Sequence, residues 1–149
     1  MSLTKATNSM IKGASVNVLD FGADPTGAAS SVTAFNNALA NGGSVHVPPG
    51  TYTLDGKVSL TVDNSALNFA ADVTLNVSGV AALQSPFGAQ ILIGANNCAV
   101  IGSGPSSLIQ NVLGTYANTI TLIPGYSKVL IRDLTLDGGK DLVTATTSD

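Results

Sequence analysis

From Gly43 onward, no stretch of this chain carries an apolar stripe long enough to make a helix. The apolar residues come in short runs instead: Val45, Val47, Tyr52 and Leu54, then 58–62, 66–69, 73–77, 91–93, 99–101, 120–123, 129–131 and 134–136. β-branched residues and Leu fill these runs, and Gly, Asn, Asp and Ser, which supply turn geometry, separate them. Each run has the length of a strand and falls short of a helix. A chain of 149 residues with 44% hydrophobic residues suits one folded domain and has too much apolar material for disorder. Only 10% of its residues are charged and its mean hydropathy is +0.35. That is more apolar than a water-facing monomer needs, so self-association is expected.

The one helical pattern precedes the strands. Over residues 32–40, Val32, Phe35 and Leu39 recur at spacings of three and four with Ala34 and Ala38 beside them, forming one apolar stripe. Ser30 or Ser31 is placed to supply an N-cap oxygen, and Asn41-Gly42-Gly43 ends the helix. Upstream, Asp24-Pro25-Thr26-Gly27 has the residues of a type I turn, and 16–20 reads as a strand. Residues 1–15 are polar and without period, and read as a linker. Taken together, VNVLDFGADPTGAASSVTAFNNALANGGSVHVPPGTYTL, residues 16–54, resembles the opening module of pectate-lyase-like right-handed parallel β-helices, especially those of bacteriophage tailspikes. In that family a V-x-D-F-G-A start, a capping helix and a V-P-x-G-x-Y strand open the solenoid. The resemblance implies an all-β solenoid with a short N-terminal capping helix, its coils occupying 16–149. Relatives often carry paired acids before the helix, where this chain has Ser30 and Ser31. The pair therefore reads as a helix-cap device.

An internal repeat supports the solenoid. Residues 92–101 superimpose on 122–131 at an offset of thirty, strand on strand and turn on turn, and 62–69 fits more loosely. Asn64 and Asn96 fall at the bends, where Asn tolerates left-handed geometry. An antiparallel sandwich or barrel also has short, evenly spaced strands. The one hairpin signal in the first half is Asp55-Gly56, which would join 51–54 to 57–60.

The charge pattern excludes several functions. All nine acids are Asp, and they outweigh six dispersed Lys and Arg to give a net charge of −3. No basic patch suited to nucleic acid is present. No apolar run approaches the roughly 20 residues of a membrane span. The start, MSLTKATNSMI, lacks the apolar core of a secretory signal, so synthesis in the cytoplasm is expected. Cys98 is alone, so it reads as a packed, inert thiol. His46, the single imidazole, has no partner at metal-ligand spacing. No metal or cofactor is expected, and the Gly-rich spots match no phosphate-binding spacing.

Asp133 and Asp137 form the best acid cluster, with Leu134 and Leu136 turned inward between them. On one strand they would stand about 13 Å apart at roughly 3.3 Å per residue. That exceeds the roughly 5–9.5 Å of a glycosidase pair, so both are weak catalytic candidates. A sugar platform needs exposed aromatic faces. Phe21, Phe35, Tyr52 and Phe69 read as core or cap residues, which leaves Tyr116, Tyr126 and Phe87 in loop-like segments as weak substrate-binding candidates.

The resemblance implies more than the residues do. Tailspikes of this kind are homotrimers that bind bacterial surface polysaccharide, and many cleave it. It implies the N-terminal coils of such a protein, joined upstream through residues 1–15 to a phage tail or baseplate and carried on the virion. A non-catalytic phage fibre or adhesin, and a bacterial pectate-lyase-like enzyme, remain as alternatives. With no closing cap before Asp149, the expectation is a longer solenoid, or a chain whose open end a partner covers.

Overall fold

The computed structural model describes residues 15–77, 89–112 and 118–137. The order of elements is β1 (Val16–Asn17), a 3-10 turn (Val18–Phe21), α1 (Val32–Leu39), β2 (Ser44–Val47), β3 (Gly50–Leu54) and β4 (Val58–Leu60). There follow β5 (Ala66–Phe69), β6 (Val73–Val77), β7 (Ala89–Ile93), β8 (Ala99–Ile101), β9 (Leu108–Asn111), β10 (Asn118–Leu122), β11 (Leu130–Arg132) and β12 (Thr135–Asp137). They form three sheets, ordered β1-β2-β5-β8-β11, β3-β6-β9-β12 and β4-β7-β10. Every strand pairing is parallel. The chain visits the first, second and third sheet in turn and then returns to the first. The described residues thus form a parallel β-helix of three coils with two strands of a fourth. Connections of this kind are right-handed in nearly all proteins.

Alternation sets which side chains face inward. Tyr52, Leu75 and Ile109 stack in one column of the second sheet, and Val58 and Ile91 in one of the third. Val45, Leu67 and Val100 stack in the first. All are buried. Such columns remove apolar area from water at about 25 cal/mol per Å², which a single coil cannot do alone.

The Asp55-Gly56 hairpin does not form. β3 pairs with β6 and β4 with β7, so the chain turns a corner there instead of folding back. Tyr52, Leu54, Val58 and Leu60 all point into one core, a placement that parallel stacking permits, and the Ser30 hydroxyl holds the Asp55 carboxylate.

The thirty-residue repeat is real in length but shifted in register. β10 sits on β7 with Thr121 opposite Leu92, while β11 sits on β8 with Leu130 opposite Ala99. The strands are thus offset by 29 and then 31 residues, because the corner holding Pro124 and Gly125 is two residues longer than its predecessor. The corners themselves stack. Asn64, Asn97 and Lys128 all take left-handed φ (65°, 55° and 60°). Asn96 sits beside the left-handed residue and bonds the coils instead. Its backbone N–H donates to Asp63 Oδ1 at 2.8 Å, and its own Oδ1 accepts from Ser127 N at 3.1 Å.

The opening module closes the free edges of the first coil. β1 covers β2, Thr51 N–H donates to Pro25 O at 2.8 Å, and Ser31 N–H donates to Thr53 O at 2.9 Å. The Asn36 side chain serves as a substitute strand for β4, donating to Lys57 O and accepting from Ser59 N, each at 2.9 Å. Phe35 meets Tyr52 edge-on with ring centroids 5.7 Å apart.

Three local expectations are corrected. The first strand stops at Asn17, whose side chain accepts from Leu19 N–H at 2.9 Å and starts the 3-10 turn. Phe21 in that turn is exposed. Ser31 occupies the N-cap position of α1 but does not cap it, its hydroxyl accepting from Asp24 N–H at 3.0 Å. Of the two serines it is the Ser30 hydroxyl that accepts from the first helical amide, Val32 N–H, at 3.5 Å.

Asp24 organises the turn before the helix. Hydrogen bonds from the Thr26 hydroxyl (2.7 Å), Thr26 N–H (2.9 Å) and Ala29 N–H (2.8 Å) hold its carboxyl below the ordinary value of 3.8. A depressed folded-state pKa contributes stability above the unfolded pKa, and this is lost as pH falls through the folded one. Asp24→Asn is therefore expected to lower Tm at neutral pH, with the gap to the parent closing as pH falls below 3.8. Melting curves across pH test this, and a gap that stays constant down to acid would contradict it.

Candidate functional site

The outward residues of the second sheet line up across coils. One column holds Thr53, Asn76, Gln110 and Asp137, and the other Thr51, Thr74, Leu108 and Thr135. Neighbouring rungs of a parallel sheet stand about 4.8 Å apart. The first rung is occupied: Thr53 Oγ1 donates to Gly27 O at 2.7 Å. Thr135 Oγ1 is engaged with Pro105 O at 3.0 Å. Between them, Asn76 and Gln110 are half-buried on the surface, and neither amide has a partner among the described residues. Each amide offers both a carbonyl acceptor and NH₂ donors, so the two together present a repeating polar pattern along the solenoid axis.

Of the residues proposed from sequence, only Asp137 lies on this face. Asp133 does not share its strand. It forms the corner between β11 and β12 with a left-handed φ of 57°, and it pairs with Arg132 at 3.2 Å. Its carbonyl accepts from Gly104 N–H at 2.8 Å and lies so close to Gly102 that a Cβ there would sit 2.0 Å away. Asp133 is thus a corner residue. The straight-strand spacing between the two aspartates does not apply, because the chain bends between them. Tyr126 is exposed in the corner between the third and first sheets, away from the face. Tyr116 and Phe87 lie outside the described residues.

His46 stands outward between Asn17 and Asn68 on the first sheet, with Val45 and Val47 buried on either side. Cys98 is buried, and burial pushes its thiol pKa up, away from reactivity. Among the described residues, no group of three His, Cys, Asp or Glu side chains could hold a metal ion. No described helix is long and apolar enough to cross a membrane.

Asn76 and Gln110 escaped the sequence reading because register alone brings them together. They are 34 residues apart in the chain, and each looks like an ordinary polar strand position. The one available signal was the polar phase of each strand's alternation.

By architecture, then, the described residues form a capped parallel β-helix whose second sheet carries outward columns made mostly of hydroxyls and amides. Two comparisons with known proteins bear on it. Residues 15–69, the opening module and the strands through β5, match the family described as rhamnogalacturonase A/epimerase, pectate lyase-like. A solved iota-carrageenase complexed to iota-carrageenan fragments matches 94% of this chain with a TM-score of 0.68 and 17% identity. The chain spans 34% of that enzyme's length. A search of curated proteins finds no significant match.

Proposed function

We propose that this chain forms the N-terminal coils of a phage tailspike that binds bacterial surface polysaccharide along the outer face of its second sheet. The observation that carries the binding reading is the Asn76–Gln110 ladder, without partners among the described residues and aligned along the axis where an extended polymer would lie. The setting rests on the tailspike-like opening module of residues 16–54. On this reading residues 1–15 lead to the tail-anchoring part, the protein belongs to the virion, and it assembles as a homotrimer. Three-fold closure would cover lateral apolar surface such as Leu130, which is 48% exposed on the first sheet.

The rung pattern favours binding over chemistry in this segment. Hydrolysis calls for two carboxyl groups facing one bond, and among the described residues the face carries Asp137 alone. A non-catalytic adhesin is therefore the second reading. The pectate-lyase-like match of residues 15–69 keeps a polysaccharide enzyme as the third.

The test is binding of purified capsule or lipopolysaccharide by the full-length protein. Asn76→Ala with Gln110→Ala should weaken it about tenfold or more, at about 0.5–1.5 kcal/mol per lost hydrogen bond. Unchanged binding would defeat the assignment of this face. If the parent turns over polysaccharide, Asp133→Asn and Asp137→Asn should leave the rate within a few-fold. A loss of about a hundredfold or more with folding intact would put an acid or base there. Light scattering of the full-length protein across a dilution series should give a trimer, and a persistent monomer would remove the tailspike reading.

A further inference from the structure

We infer that the glycan taken by this face is uncharged, an inference that rests on the binding role proposed above. From Thr51 to Asp137 the two outward columns present threonines, one leucine, two carboxamides and one aspartate, with no Lys, Arg or His. The described cations lie outside these two columns. Lys57 is on the first corner between the second and third sheets, at the capped end, where Asn36 holds its carbonyl. Lys128 is on the corner between the third and first sheets, and Arg132 is on the first sheet, paired with Asp133.

Uronate and sulfate groups need compensating charge when they leave water, and proteins supply it with Arg or Lys forks. A face without them imposes the desolvation cost and returns nothing for it. Vicinal hydroxyls have the opposite requirement, a neighbouring donor and acceptor, which an Asn or Gln carboxamide provides in one group. Leu108, half-buried between Thr74 and Thr135 in its column, adds an apolar contact for the C–H face of a sugar ring. Recognition would thus run through neutral hydrogen bonds and be insensitive to salt.

The experiment is an array of bacterial capsular and O-chain polysaccharides, neutral ones beside uronate- or sialate-bearing ones. It is probed with the full-length protein, the Asn76→Ala/Gln110→Ala variant and Gln110→Lys, each checked for parental melting. Retention is expected on neutral polymers, about tenfold weaker for the alanine variant and unchanged up to roughly 0.5 M salt. Gln110→Lys should bring acidic polymers onto the array. Retention of acidic polymers by the parent, falling with salt and lost in the alanine variant, would overturn the uncharged-glycan inference while leaving the face as the binding site. No retention of any polymer, or retention indifferent to the alanine substitutions, would overturn the binding reading itself.

Discussion

Phe35→Ala is expected to cost about 3–5 kcal/mol, the range for truncating a buried aromatic. The ring is fully buried and meets Tyr52 at 72°. Tyr52 in turn fills the inward position of β3 and donates to Pro48 O at 3.0 Å. Removing Phe35 opens a cavity between the helix and the first coil and loosens Asn36, which pairs the edge of β4. Two effects should follow together: a lower midpoint in denaturant, and aggregation through the freed strand edge. Thr33→Ala, on the exposed side of the same helix, is the control and should stay within about 0.5 kcal/mol. A Phe35→Ala variant that melts with the parent would mean that the helix does not close the solenoid.

Gly50→Ala should be comparably damaging for a different reason. Gly50 has a φ of +149°, and a Cβ there would lie 2.8 Å from both the carbonyl oxygen and the Cβ of Pro25. Backbone strain of about 1–3 kcal/mol adds to overpacking of about 1–3 kcal/mol. Neither is easily relieved, since Gly50 N–H donates to Asp72 O at 3.1 Å and Thr51 N–H to Pro25 O at 2.8 Å. The turn around Pro25 would have to lift off the first coil. Faster hydrogen exchange at Thr51 and Ser31, whose amides bond across that seam, would report it. Parental exchange and parental melting would refute the proposed contact.

The glycine in V-P-P-G-T-Y was thus legible as a motif, while its cause, the approach of Pro25, was not. The same division runs through the molecule. Alternation in 45–54 and 58–62 identified the inward columns, since a strand with one buried face leaves a period of two in the sequence. The stripe of Val32, Phe35 and Leu39 identified the cap for the corresponding reason. Register stayed hidden because it depends on corner length, and the two extra residues around Pro124 and Gly125 move the next strand without altering any local pattern. Asp133 was misplaced onto a strand because Asp-Leu-Thr-Leu-Asp alternates perfectly. The left-handed backbone of the first aspartate and the close approach of Gly102, which make it turn a corner, leave no mark on that alternation. The Asn76–Gln110 pair needed the fold before it could be seen.

The corners differ in how much length they admit. From the third sheet to the first, the chain takes six residues from Leu60 to Ala66, six from Ile93 to Ala99 and eight from Leu122 to Leu130. From the second to the third it takes four from Leu54 to Val58, fourteen from Val77 to Ile91 and nine from Asn111 to Ile120. One vertex of the triangle is held nearly constant by its stacked asparagines, while another accepts insertions without disturbing a single column. The molecule thus sets a vertex of nearly fixed length against one of variable length, and the variable one borders the polar face, so that chain can be added beside that face while every inward column keeps its register.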